Sequence, residues 1–296
     1  MSAVVNINGR LCQESDAVIS VFDHGFLFGD GVYEVLRTYG GRPFLFAEHQ
    51  RRLRESADRL VLPVPFSDEE IQARMMETIA AHREPGEKYI RVLLTRGVGE
   101  FSYDPRVCPT PTLVMIVKPH VGPPSKAYDD GVSIAIVNVV RNHPASLNPR
   151  IKSNNLLNNA LAMQAAIRAG SDEALMRNHR GALVECSQSN FFVVRDQRVL
   201  TPPLASGLLG GITRAFVIDL GRALGFVVEE ADVFESDVAT ASEAFLTSTT
   251  REITPVTRID GAPVGSARPG PVTVALLNAF RQRARALTQA APAHMA

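Results

Sequence analysis

Apolar and polar positions change period several times along this chain. Alternating and short apolar runs predict strands at 3–7, 32–39, 88–95 and 112–118, and apolar positions recurring every three or four residues predict helices at about 47–60 and 68–83. The second helix opens on Ser67-Asp68-Glu69-Glu70, a capping box in which hydroxyl and carboxylate reciprocally satisfy free amides. A proline- and glycine-rich run from Lys118 to Gly131 then forms a seam between two β-rich regions. Beyond it, strands are expected near 131–139, 174–177, 182–185, 190–195, 226–229 and 244–247, with helices at 155–169, 212–224, 235–240 and 271–286. The tail Ala290–Ala296 is expected to fray. Strands and helices mix without regular alternation, which predicts an α+β fold in two domains rather than a doubly wound sheet. The expected division is a small N-terminal α+β domain (1–120), a linker (121–130) and a larger C-terminal domain (131–296).

Composition narrows the function classes. Apolar residues make up 45% of the 296, enough for real cores. Lys+Arg and Asp+Glu both number 31, so no basic field attracts nucleic acid or an anionic membrane. Cys12, Cys108 and Cys186 are odd in number and widely spaced, which argues against a disulfide framework and for a reducing compartment. The first ten residues lack a signal peptide's order, and no apolar stretch approaches the roughly 20 residues of a membrane span. The expectation is a soluble, cytoplasmic protein. The histidines form no ligand-spaced cluster with cysteines or carboxylates, so no metal site is expected.

Five places carry candidate chemistry. Lys152 stands in Ile151-Lys152-Ser153-Asn154-Asn155, before a helix whose expected face is Leu156, Ala160, Met163 and Ile167. Leu208-Leu209-Gly210-Gly211-Ile212-Thr213 runs directly into a helix, where glycines permit close approach and free amides face an anion. Thr247-Ser248-Thr249-Thr250-Arg251-Glu252-Ile253-Thr254-Pro255-Val256 opens with four hydroxyl residues at the end of a strand, a second candidate anion cup. Arg52 lies at the edge of the helix face formed by His49, Leu53, Ser56, Ala57 and Leu60, and an inward-leaning arginine needs an anion or carboxylate partner. Glu185 closes an apolar strand before a polar turn. Each has an ordinary alternative: a solvated helix end, a glycine-containing helix start, a polar turn, a charged helix face or a surface salt bridge. Together they supply what a lysine-bound pyridoxal phosphate needs, namely an amine, an acid for the ring nitrogen and two phosphate cups.

The order and spacing of these segments, from Val21-Phe22-Asp23-His24-Gly25 to Ile253-Thr254-Pro255-Val256, resemble the class IV, fold-type IV pyridoxal-phosphate aminotransferases. That family includes branched-chain amino acid aminotransferases, D-amino acid aminotransferases and aminodeoxychorismate lyases. The resemblance covers nearly the whole chain and implies a two-domain, D-amino acid aminotransferase-like fold whose larger domain binds the cofactor. It makes Lys152 the Schiff-base lysine and proton shuttle, Glu185 the pyridine-nitrogen acid, and Leu209 the residue against the ring. Arg52, Ile212, Thr213, Ser248 and Thr249 become cofactor contacts, while Tyr33, Tyr89, Arg91 and Thr250 become substrate contacts. It also implies amino acid and 2-oxo acid substrates, a ping-pong cycle and at least a homodimer.

Substrate signals divide. Lys88-Tyr89-Ile90-Arg91 and Thr95-Arg96-Gly97 resemble branched-chain enzymes, and Phe101 and Tyr103 stand where D-amino acid enzymes carry an Arg-x-His carboxylate clamp. Leu156 and Thr247-Ser248-Thr249-Thr250 resemble the D-specific enzymes instead, and Cys186 replaces a glycine often found after the acid. Arg91 is either a substrate carboxylate anchor or a structural ion-pair member. The reading taken is a branched-chain L-amino acid transaminase using 2-oxoglutarate. The alternatives are a D-amino acid transaminase acting on D-alanine or D-glutamate and, further off, an aminodeoxychorismate lyase.

Overall fold

A computed structural model describes residues 3–290, so most of the tail expected to fray lies outside the described residues. The chain divides into two compact units. The first holds the described residues up to Val121, Ile151–Leu156 and those from Ala284; the second holds Gly122–Arg150 and Leu157–Arg283.

In the first unit, β1 (Val4–Ile7) and β2 (Arg10–Gln13) precede α1 (His24–Phe28), β3 (Gly31–Tyr39), β4 (Arg42–Pro43), α2 (Phe46–Arg59), α3 (Asp68–Ala81), β5 (Lys88–Thr95) and β6 (Thr112–Pro119). The six strands form an antiparallel sheet in the order β2-β1-β6-β5-β3-β4. Strand alternation decides its faces. Val32, Leu36, Ile90, Val92, Leu94, Met115 and Val117 are buried in one core with Leu53 and Ala57 of α2 and Ile71 and Met75 of α3. The intervening positions, including Tyr33, Tyr89 and Arg91, are half-buried and share the sheet's other face. Ser67 and Glu70 form the expected capping box at the start of α3.

The second unit contains α4 (Lys126–Asp129), β7 (Val132–Val137), α5 (Leu157–Arg168), β8 (Glu173–Arg177), β9 (Leu183–Cys186), β10 (Asn190–Arg195) and β11 (Arg198–Thr201). It continues with α6 (Ile212–Ala223), β12 (Val227–Glu230), α7 (Glu235–Ala239), β13 (Glu243–Ser248), β14 (Glu252–Ile259), β15 (Ala262–Pro263) and the part of α8 (Pro271–Ala290) up to Arg283. The sheet order is β12-β11-β10-β13-β14-β7-β8-β9, and β9 also pairs with β10 at Glu185↔Asn190. Six strands therefore close into a ring at the candidate acid. Closure leaves those strands without a free edge and surrounds a core containing Ile134, Leu175, Phe191, Leu246 and Val256.

Two expectations require correction. The helix expected at 155–169 starts two residues later, because 152–156 is non-helical and α5 begins at Leu157, and its inward face is not the one expected. The helix turns Ala162 and Ala166 inward against Ala135, Ala174 and Met176, while Ala160 and Ile167 are exposed. Small alanines allow that helix to lie close to β7 and β8. The loop read after Thr247 is also shorter, because β14 occupies Glu252–Ile259. Proline normally argues against a strand interior, yet Pro255 sits opposite Phe245, just before the β7 ladder begins at Val256↔Val132.

Candidate active site

In the first unit the Lys152 segment is held along β3. Tyr33 N–H donates to the Lys152 carbonyl at 2.9 Å, Asn154 N–H to the Gly31 carbonyl at 2.8 Å, and Lys152 N–H to Ser56 Oγ at 3.2 Å. Lys152 is thus pinned by backbone groups, with its side chain left to reach. Its Nζ lies over the Tyr33 ring, 4.5 Å from the centroid, and the Arg91 guanidinium carbon lies 4.1 Å from the same centroid. Arg91 has no carboxylate partner among the described residues. Tyr89, two positions before it on β5, has Lys118 Nζ 5.0 Å from its ring centroid.

The other face of β3 carries a network that the charge pattern alone did not reveal. Glu34 occupies the apolar phase of the strand, fully buried, and accepts hydrogen bonds from Arg52 Nε and Nη2 at 2.7 Å each. His49 Nδ1 lies 2.7 Å from Glu34 Oε2. Burial acts to raise the Glu34 carboxyl, but Arg52 and His49 outweigh it and hold the group well below the usual carboxylate range. Burial lowers His49 despite the pull of Glu34, and the Arg52 and Lys152 charges add to that lowering. An ionised carboxylate only accepts, so neutral His49 presents its Nδ1–H to Glu34 and leaves Nε2 as an acceptor. Arg52, expected beside a phosphate, therefore has a carboxylate that fixes the orientation of its guanidinium.

In the second unit Glu185 is buried at the β9–β10 closure. Its Oε1 accepts from Arg141 Nε at 2.7 Å; its Oε2 accepts from Leu209 N–H at 3.1 Å and Asn190 Nδ2 at 3.4 Å. Arg141 also donates to Asn158 Oδ1 at 3.0 Å. The negative charge is paired and the carboxylate plane fixed, which suits a group presented to a cationic ring nitrogen. Cys186 is accommodated within β9, where its N–H donates to the Ser189 carbonyl. Burial, reinforced by Glu173, pushes its thiol well above the usual range.

The helix start behind Leu209 fits a phosphate. No side chain caps α6, and Gly211 cannot carry a side chain without displacement, because a Cβ there would lie 1.9 Å from Asn190 Oδ1. Ile212 and Thr213 are its first two residues, with Thr213 buried. At the β13 end, the buried Thr247 hydroxyl has no hydrogen-bond partner among the described residues. Ser248 Oγ accepts from Arg251 N–H at 3.3 Å, and Thr249 and Thr250 occupy the turn into β14. These donors suit an anion with several acceptor oxygens. Phe101 and Tyr103 are exposed and meet Phe22 and Phe28 edge-on or tilted. Among the described residues no group of three or more ligands is placed to hold a metal, and no helix is long and apolar enough to cross a membrane.

Two units with these residues define a fold-type IV aminotransferase framework. The amino-transferase class IV pattern matches residues 31–259, and the chain belongs to that family. It is 39% identical over 94% of its length to a protein of Methanocaldococcus jannaschii named putative branched-chain-amino-acid aminotransferase, covering 95% of that protein. It is 38% identical over 93% of its length to the D-alanine aminotransferase of Listeria innocua, covering 94%. Among solved structures, the branched-chain aminotransferase of Thermoproteus uzoniensis with norvaline superposes with a TM-score of 0.90 at 31% identity, covering 97% of this chain and 96% of that one. The protein is accordingly an aminotransferase of class IV, a family that uses pyridoxal phosphate and acts on amino and keto acids.

Proposed function

We propose that the chain transfers nitrogen from a branched-chain L-amino acid to 2-oxoglutarate in a ping-pong cycle with pyridoxal 5'-phosphate. The bound cofactor supplies an electron sink for charge developing at the substrate α-carbon. Lys152 Nζ holds it covalently and, when released, carries the α-proton. Glu185 partners the ring nitrogen, held in place by Arg141, Asn190 and the Leu209 amide. Leu209 would pack against the ring, and Ile212, Thr213, Ser248 and Thr249 would donate to the phosphate, for which Arg52, held by Glu34, is a further candidate. Tyr33, Tyr89, Arg91 and Thr250 receive the substrate. Residues 1–120 serve as the small domain, 121–130 as the linker and 131–296 as the cofactor-binding domain, except that Ile151–Leu156 and the described residues from Ala284 belong to the first compact unit.

One observation carries the reading: an amine and a guanidinium share one aromatic ring. Lys152 Nζ and the Arg91 guanidinium lie 4.5 and 4.1 Å from the Tyr33 centroid, and among the described residues Arg91 has no carboxylate partner of the kind a structural ion pair would need. A guanidinium is suited to bidentate recognition of a carboxylate. The second reading, a D-amino acid transaminase, is supported by the 38% identity to a D-alanine enzyme and by the run Thr247-Ser248-Thr249-Thr250.

Single-turnover spectroscopy of the holoprotein with L-leucine, D-alanine and D-glutamate separates the two. Loss of the cofactor's visible band with L-leucine alone, and its return with 2-oxoglutarate, is expected; loss with the D-amino acids alone reverses the choice. We further propose a cytoplasmic homodimer, supported by the exposed aromatic rings of Phe26, Phe101 and Tyr103. A monomeric mass by sedimentation at micromolar concentration rejects the dimer.

A further inference from the structure

We infer that Glu173 is a positioning residue: its buried carboxylate ties the turn after Glu185 to the loop carrying Thr249 and Thr250, and so sets where that loop's donors stand. The inference rests on the proposed cofactor reading and lies wholly within the second unit.

Glu173 is the first residue of β8 and is completely buried. Its Oε1 accepts from the Ala174 amide at 3.0 Å and from the Ser187 hydroxyl. Its Oε2 accepts from Arg251 Nη2 at 2.6 Å. Ser187 stands two residues after Glu185, and its backbone is fixed by Ala174 and by Asn159 Nδ2. Arg251 closes the three-residue turn between β13 and β14, immediately after Thr249 and Thr250.

That turn is constrained well beyond what a hairpin needs. Glu252, the first residue of β14 and paired with Ser248, adopts the left-handed φ of +56° although it is not glycine. Its carboxylate is held by Arg281 Nε at 2.7 Å, and the Arg251 carbonyl accepts from Tyr128 and Thr254 hydroxyls at 3.2 and 3.0 Å. An ordinary β-turn requires none of these bonds. A buried carboxylate without its cation is strongly unfavourable, so Glu173 draws the Arg251 side of the loop to one position. The same carboxylate holds the Ser187 turn, which gives the two phosphate- and ring-facing elements a common reference.

The test is the dissociation constant of pyridoxal phosphate, measured by release from the holoenzyme, for Glu173→Gln, Thr249→Ala and the double variant. Glu173→Gln keeps the shape and removes the charge. It is expected to weaken binding about tenfold, the scale of one charge-assisted hydrogen bond. If it acts through the loop, its effect falls to within about twofold of none in the Thr249→Ala background, because the two changes then affect one interaction. Multiplying effects, or an unchanged constant for Glu173→Gln, overturn the inference. Should Glu173→Gln fail to fold, Arg251→Lys changes the half-buried partner and must show the same non-additive loss; unchanged binding there refutes the role. Wild-type protein that takes up no pyridoxal phosphate removes the cofactor reading and this inference with it. Tight wild-type binding with unaffected variants removes the inference alone.

Discussion

Replacing Arg91 by alanine separates a substrate anchor from a structural arginine. Among the described residues the side chain has no carboxylate partner, and its guanidinium lies over the Tyr33 ring at 4.1 Å. Truncation therefore breaks no ion pair and forfeits a cation–π contact of about 0.5–1 kcal/mol. In a chain of this size that lowers Tm by no more than about 2–4 °C. A carboxylate bound by the guanidinium through charge-assisted hydrogen bonds carries about 1.5–3 kcal/mol, or a loss in kcat/KM of about 10- to 150-fold. Steady-state kinetics with 2-oxoglutarate and with a 2-oxo monocarboxylate locate the contact. An anchor for the distal carboxylate harms only the dicarboxylate, whereas an anchor for the α-carboxylate harms both. A large fall in Tm with kcat/KM unchanged for both acceptors refutes the reasoning.

Glu185→Ala leaves Arg141 buried without its carboxylate and removes the ring-nitrogen partner; the amino-acid half-reaction should slow by at least about a hundredfold, as read by stopped-flow absorbance, and an unaltered rate rejects the role. Gly211→Ala forces Asn190 from the position it shares with Glu185 and Leu209, so cofactor affinity should fall about tenfold with about 1–3 kcal/mol of stability lost, measured by cofactor titration and urea unfolding. For His49, the folded value lies below the usual 6.5, so the unfolded chain takes the proton first as pH falls. Its contribution is complete above that value and is lost on acidification through the folded one; Glu34, lowered from 4.5, adds a loss at still lower pH. Urea midpoints from about pH 8 to about pH 5 should therefore fall more steeply for wild type than for His49→Gln, and parallel curves contradict the assignment.

Much of the local structure around the candidate site was legible because local pattern and chemistry coincide there. The strand 88–95 carries Tyr89 and Arg91 in one phase of its alternation, and the glycines before Ile212 mark the start of α6. The inward face of α2 was also readable, with His49, Leu53, Ser56 and Ala57 buried. Its partner was not identified, although Glu34 sits in the buried phase between Val32 and Leu36; a carboxylate in that phase is the signal that could have found it. Arg141 lies in an irregular segment with no period to place it, and the Glu185↔Asn190 closure depends on a sheet returning upon itself. Asn154 and Asn155 resemble capping residues but belong to the non-helical segment holding Lys152. Pro255 hid β14, and with it the short turn that concentrates Thr249, Thr250 and Arg251.

The central claim is that Lys152 is the amine bearing the cofactor. Borohydride treatment of the holoprotein, which fixes a carbonyl-linked cofactor to its amine, followed by peptide mass spectrometry, tests it directly. The chain's other lysines are Lys88, Lys118 and Lys126; Lys88 donates to the Glu84 carbonyl and Lys118 lies over Tyr89. A phosphopyridoxyl adduct confined to the peptide containing Lys152, and absent from Lys152→Ala, is the predicted result. An adduct on any other lysine, or undiminished labelling in Lys152→Ala, contradicts the account.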